Sequence, residues 1–158
     1  LYSQHGGKNI HELEGINSRM DGIQASILNI KLKYLVSWTE KRKLLAQNYI
    51  QNLLDIGDIQ LPIKAEHTDH VYHLFTIRTK YRDSLKHFLQ DRGISTIINY
   101  PVPLPFLPCY SHLSIDEKCF RNAQNICNTI LCLPLYPELD NESQEYIIST
   151  IKEFYKKI

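Results

Sequence analysis

Asn17 and Arg19 stand two apart in a polar turn, Gly15-Ile16-Asn17-Ser18-Arg19-Met20-Asp21-Gly22, which runs directly into the apolar segment Ile23-Gln24-Ala25-Ser26-Ile27-Leu28. A carboxamide and a guanidinium ahead of a helix start offer donors to an anion, with the positive end of the helix dipole behind them. The same turn has a plainer use, because Asn17, Ser18 or Asp21 can cap the helix. Two other groups invite a metal reading and fail it. His70 and His73 lie in a run that reads as a strand, where positions three apart point to opposite faces. Cys109, Cys119, Cys127 and Cys132 form no C-x-x-C pair. That argues against a zinc site and a disulfide framework, and suits free thiols, buried or half-buried, in a reducing compartment.

The elements that must position these residues follow from periodicity. Ile23 to Ile56 contains neither Pro nor Gly, which permits a long helix in one or two pieces. Leu35, Trp38, Leu45, Tyr49 and Leu53 recur along it at helical spacing and predict one buried stripe. Gly57 is a natural stop. Ile59-Gln60-Leu61-Pro62 reads as a short extended piece, and His70 to Arg78, rich in β-branched and aromatic residues, as the clearest strand. Tyr81 to Gly93 predicts an amphipathic helix with Leu85, Phe88 and Leu89 inward. Ile94 to Tyr100 is the next strand, ended by Pro101. Pro101, Pro103, Pro105 and Pro108 then make a stiff loop with few backbone donors. Cys119 to Leu131 predicts a helix with Phe120, Ala123, Cys127 and Ile130 on one side. The last helix, capped by Asp140 or Asn141, carries Ile147, Ile151, Phe154 and Ile158 inward. Helices alternating with short strands give an α+β class, with a mainly antiparallel sheet of about three strands.

With 158 residues, the chain has the length of one domain, or of a domain with an arm. A net charge of +1 gives no electrostatic case for nucleic acid or an anionic membrane. No apolar run is long enough to span a bilayer, and no signal-peptide pattern opens the chain. Gly6, Gly7 and Gly15 break residues 1–16 into a loop-rich arm. The boundaries expected are therefore an arm at 1–16, a long linking helix region at 17–57, and a small α+β domain at 58–158.

The run Gly15-x-Asn17-Ser18-Arg19-Met20-Asp21-x-x-Gln24-Ala25-x-Ile27-Leu28 resembles a signature of the DegT/DnrJ/EryC1/StrS nucleotide-sugar aminotransferases, pyridoxal-phosphate (PLP) enzymes of aminotransferase fold type I. His70-Val71-Tyr72-His73-Leu74-Phe75, Gly93-Ile94-Ser95-Thr96-x-x-Asn99-Tyr100-Pro101, and Leu131-Cys132-Leu133-Pro134-Leu135-Tyr136-Pro137-Glu138-Leu139 resemble later family elements, in the family's order. The resemblance implies the C-terminal part of a cytoplasmic enzyme that moves an amino group, usually from glutamate, to a keto-sugar on a nucleotide diphosphate. Its active site lies between the subunits of a homodimer. The lysine that carries PLP belongs to the large domain, ahead of Leu1, so the resemblance implies no catalytic residue here and no activity from this stretch alone. Asn17 is implied as a donor to the PLP phosphate of the partner subunit. Arg19, Asn99 and Tyr100 are implied as substrate-binding. Asn99 departs from the family's usual histidine, and Pro105 from a usual polar residue. Two alternatives stay open: a sugar dehydratase of the same fold, with histidine in place of that lysine, and a non-catalytic dimerisation or interaction domain.

Overall fold

In the computed structural model, which describes Ile16, Ser18 and residues 20–158, the first helix α1 (Gly22–Leu32) starts from Asp21. The Asp21 carboxylate accepts from the Gln24 N–H at 2.8 Å, and the Gln24 amide oxygen accepts from the Asp21 N–H at 3.1 Å. This reciprocal box satisfies two donors that a helix start otherwise leaves bare. Helix α2 (Leu35–Leu53) follows after a brief break. The described residues fall into two compact units, one ending at Trp38 and the other spanning Thr39–Ile158. In the first, no residue of α1 is buried. The predicted stripe is therefore a property of the second half of α2 alone: Leu45, Tyr49 and Leu53 are buried together with Ala46, whereas Leu35 is exposed.

The second unit is built on two antiparallel strands, β1 (Phe75–Arg78) and β2 (Ile130–Leu133), in the register Phe75–Leu133, Thr76–Cys132, Ile77–Leu131, Arg78–Ile130. Opposed residues share a face, so Phe75, Ile77, Leu131 and Leu133 form the inner layer. Onto it pack α3 (Arg82–Gln90) through Leu85 and Leu89, α5 (Asn141–Tyr155) through Ile147, Ile151 and Phe154, and the buried stripe of α2. The remaining helix, α4 (Arg121–Thr129), leads directly into β2.

The α+β class is as expected, but the strands differ. The stretch expected to be extended from His70 shortens to Phe75–Arg78, because Tyr72 takes a left-handed conformation (φ 48°) and the His70 ring turns back to accept its N–H at 2.9 Å. Ile94 to Tyr100 is held to β2 only at Ile97, and Gln60 to β1 only at Arg78. In compensation, Ile130–Leu133, read as the end of a helix and the start of a turn, is β2. A four-residue run buried at every position has no alternation to reveal a strand. Ile158 lies beyond α5 and is exposed, and Cys109 and Cys119 are exposed thiols rather than buried ones.

Polar anchors tie these layers together. Gln144, fully buried, donates to the Leu45 carbonyl at 2.7 Å and accepts from Asn48 at 2.7 Å. Arg42 donates to the carbonyls of Leu135 (2.8 Å) and His73 (3.3 Å). At the opposite end, the hydroxyls of Thr79 (2.6 Å) and Tyr155 (2.8 Å) both donate to Asp58, as does the Lys80 N–H (2.7 Å). Gly57, at φ 55°, lies under the Tyr155 ring, where a Cβ would overlap it.

Partial burial works against the charged form of Asp58, but these donors outweigh it and hold the carboxyl below the ordinary carboxylate range. Such a group adds stability above its unfolded pKa, and that stability is lost as pH falls through the folded value. Denaturant titrations across pH 7 to pH 2 should therefore show an acid limb of falling stability that Asp58→Asn makes shallower. Superimposable limbs for the two proteins would refute the linkage.

Candidate functional site

One polar pair, Asn99 and Tyr100, emerges at the edge of the sheet. Cys132 donates its N–H to the Ile97 carbonyl at 2.8 Å, and Ile97 returns its own N–H to the Cys132 carbonyl at 3.3 Å. Ile98 packs against the core. With these two residues fixed, Asn99 emerges half-buried and Tyr100 emerges 71% exposed; the peptide between them is cis. Among the described residues neither side chain has a hydrogen-bond partner, so a carboxamide, a phenol and an aromatic face are all free for a ligand. The two groups can bind and orient a hydroxyl-bearing molecule, and Asn99 cannot move a proton as a histidine would.

The four prolines after Tyr100 fold the chain into two 3₁₀ turns, Leu104–Phe106 and Pro108–Leu113, because fixed φ angles suit short tight turns and missing N–H groups cannot sustain a helix. Phe106 closes the loop edge-on against Phe120, with ring centroids 6.0 Å apart. Leu104 and Leu113 are left exposed, whereas Pro105 is half-buried. The loop thus presents an apolar rim next to the free polar pair.

Asn17 and Arg19 lie outside the described residues. Their neighbours still bear on the anion reading. The N-terminus of α1 already carries the Asp21 carboxylate, so the helix dipole is spent on that charge. An anion would have to be gripped by side chains ahead of the cap, not by the helix end. Ser18, Met20, Gln24, Ile27 and Leu28 line an open, largely apolar hollow of about 530 Å³.

Of the described lysines, Lys43 is paired with Asp69 (2.7 Å) and Glu40 (2.9 Å), Lys157 is paired with Glu153, and Lys86 and Lys152 are half-buried while the rest are exposed. Among the described residues no cluster of three His, Cys, Asp or Glu could hold a metal, and no helix is long and apolar enough to cross a membrane. Sequence reasoning passed over Arg42 and Arg78. The visible signal for Arg78 was a cation at an outward position of an alternating strand.

The chain matches the model of the DegT/DnrJ/EryC1/StrS aminotransferase family over residues 1–152. It is 38% identical to the dTDP-3-amino-3,4,6-trideoxy-alpha-D-glucose transaminase of Streptomyces venezuelae, covering 94% of this chain and 39% of that protein. The crystal structure of DesV from S. venezuelae superimposes with a TM-score of 0.91 at 36% identity, over 99% of this chain and 43% of that one. The structure of ntda from Bacillus subtilis with bound cofactor PMP matches with a TM-score of 0.79 at 29% identity, over 98% and 38%. The chain thus spans about two fifths of the length of the relatives it matches.

Proposed function

This chain belongs to the DegT/DnrJ/EryC1/StrS aminotransferase family, and from that premise we propose that it is the C-terminal part of a PLP-dependent enzyme. The enzyme transfers an amino group from an amino acid, glutamate in the first instance, to a keto-sugar linked to a nucleotide. The observation that carries this reading is the 38% identity, over nearly the whole chain, to a protein named as a dTDP-sugar transaminase. PLP, when bound, supplies the electron sink that lets an amino group change carriers. The part proposed for this chain is to complete a seat built elsewhere: Asn17 as a neutral donor to the phosphate across a homodimer interface, and Arg19 as a fork for the charged part of the sugar nucleotide. Asn99 and Tyr100 bind sugar hydroxyls from the sheet edge. The bare apolar face of α1, with Ile23, Ile27 and Ile30 all exposed, is the kind of surface that an obligate interface removes from water. The boundaries proposed within the chain are an arm at 1–16, a linking region at 17–57 and a small domain at 58–158, in a cytoplasmic enzyme.

The test is an amino-transfer assay on the intact protein carrying this chain, supplied with PLP, glutamate and a dTDP- or UDP-linked 3-keto-sugar. Mass spectrometry should detect the amino-sugar, and absorbance should report PLP taken up. Tyr100→Phe, which removes one neutral hydrogen bond, should raise KM for the sugar by roughly three- to tenfold with little change in PLP uptake. Loss of a sugar hydroxyl as water, without amine incorporation, would favour the dehydratase chemistry instead. Failure to take up PLP at all would end both readings.

A further inference from the structure

The outer face of the sheet carries a cation, Arg78, whose terminal fork neither the fold nor the proposed transfer reaction uses. Phe75 and Ile77 of β1 point into the core, so Thr76 and Arg78 point the other way, with Arg78 opposite Ile130. Beside them the extended segment at Gln60 is clipped to β1 by two hydrogen bonds with the Arg78 backbone, at 2.8 and 3.0 Å. Leu61 and Ile63 of that segment, Ile126 of α4 and Ile130 of β2 wall an open groove of about 630 Å³, with Thr76 and Arg78 on its lining. This is within the size range of small-molecule sites. Ile63 is 93% exposed and Ile126 41% exposed, so the walls present bare hydrocarbon.

The guanidinium is only partly occupied. Its Nε donates to the Thr129 hydroxyl at 3.3 Å, and that hydroxyl in turn donates to the Asn125 carbonyl at 2.9 Å. Among the described residues the terminal Nη groups have no partner, and no carboxylate lies within ion-pair distance. A half-buried guanidinium with its outer fork free, among isoleucines and a leucine, attracts an anion. The fork matches two carboxylate oxygens, and the walls reward an apolar body. The groove has no acidic side chain to take an ammonium group, which disfavours amino acids. We propose that this groove is a binding site for monocarboxylates with a hydrocarbon or aromatic body, seated with the carboxylate on Arg78.

The probes are hexanoate and hexan-1-ol, titrated into the intact protein carrying this chain while the methyl resonances of Ile63, Ile126 and Ile130 are followed by NMR. Hexanoate should shift all three and bind roughly tenfold or more tightly than the alcohol, the difference being one charge-assisted contact. Arg78→Met should abolish that preference and bring the acid to the level of the alcohol. Ile63→Ser, at a side chain too exposed to matter for folding, should weaken both probes by roughly threefold or more while keeping the preference. Equal binding of acid and alcohol to the unaltered chain, no binding of either, or a preference that survives in Arg78→Met would each overturn the assignment. The unaltered chain and Ile63→Ser decide the matter even if Arg78→Met does not fold.

Discussion

Asn17→Ala is expected to weaken PLP retention in the intact protein by roughly ten- to a hundredfold, the worth of one hydrogen bond to a charged phosphate. The cap of α1 is made by Asp21 with Gln24, so the substitution removes no donor or acceptor from that box. The unit Thr39–Ile158 has its own buried core. Its unfolding should be unchanged. The decisive measurement pairs PLP retention on dialysis, read by absorbance, with a denaturant midpoint for the same sample. Retention lost at an unaltered midpoint fits a donor to the phosphate; retention unaltered removes Asn17 from that role. Asn17→Asp sharpens the contrast, because a carboxylate repels the phosphate and should lose more cofactor than alanine does.

Phe75→Ala is expected to cost about 3–5 kcal/mol, a large share of the stability of an ordinary domain. The Phe75 ring is fully buried, stacks on Tyr49 with centroids 5.0 Å apart, and stands opposite Leu133 in β2. Removing it leaves a void between α2 and the sheet that backbone tied on both sides cannot collapse to fill. The effect reaches the candidate site through a short route: β2 holds Ile97 by the two hydrogen bonds at Cys132, and Ile97 fixes where Asn99 and Tyr100 emerge. Denaturant unfolding should show the loss directly, and amide exchange at Cys132 and Ile97 should quicken. A cost under about 1 kcal/mol would mean that the site collapses far more readily than a core clamped on two sides should.

Much was legible before any coordinates because it was written in local chemistry. The family resemblance rested on short runs such as Asn17-Ser18-Arg19-Met20-Asp21 and Asn99-Tyr100-Pro101, where residue type alone carries the information. The helices α3 and α5 followed from apolar residues at helical spacing, with Gly93 taking the left-handed turn after the first and Asp140 accepting the Ser143 N–H at the start of the second. The strands were less legible. The run from His70 had the composition of one long strand, yet only Phe75–Arg78 pairs, because pairing depends on what lies alongside and not on propensity. The run Ile130–Leu133 was read as the end of a helix because its partner, 52 to 58 residues earlier in the Phe75–Arg78 register, cannot be read from its own letters.

The sequence by itself determined the family, the α+β class and the helical stretches. Those depend on side-chain chemistry and short-range periodicity, which every segment carries with it. Only the tertiary structure decided that Asp21 is the cap, that β2 pairs with β1 and anchors Ile97, that α1 keeps no buried face, and that Arg78 lies in a groove with its outer fork free. Each of these is a relation between a residue and its surroundings, set by how distant segments compete for the same hydrogen bonds and the same buried space.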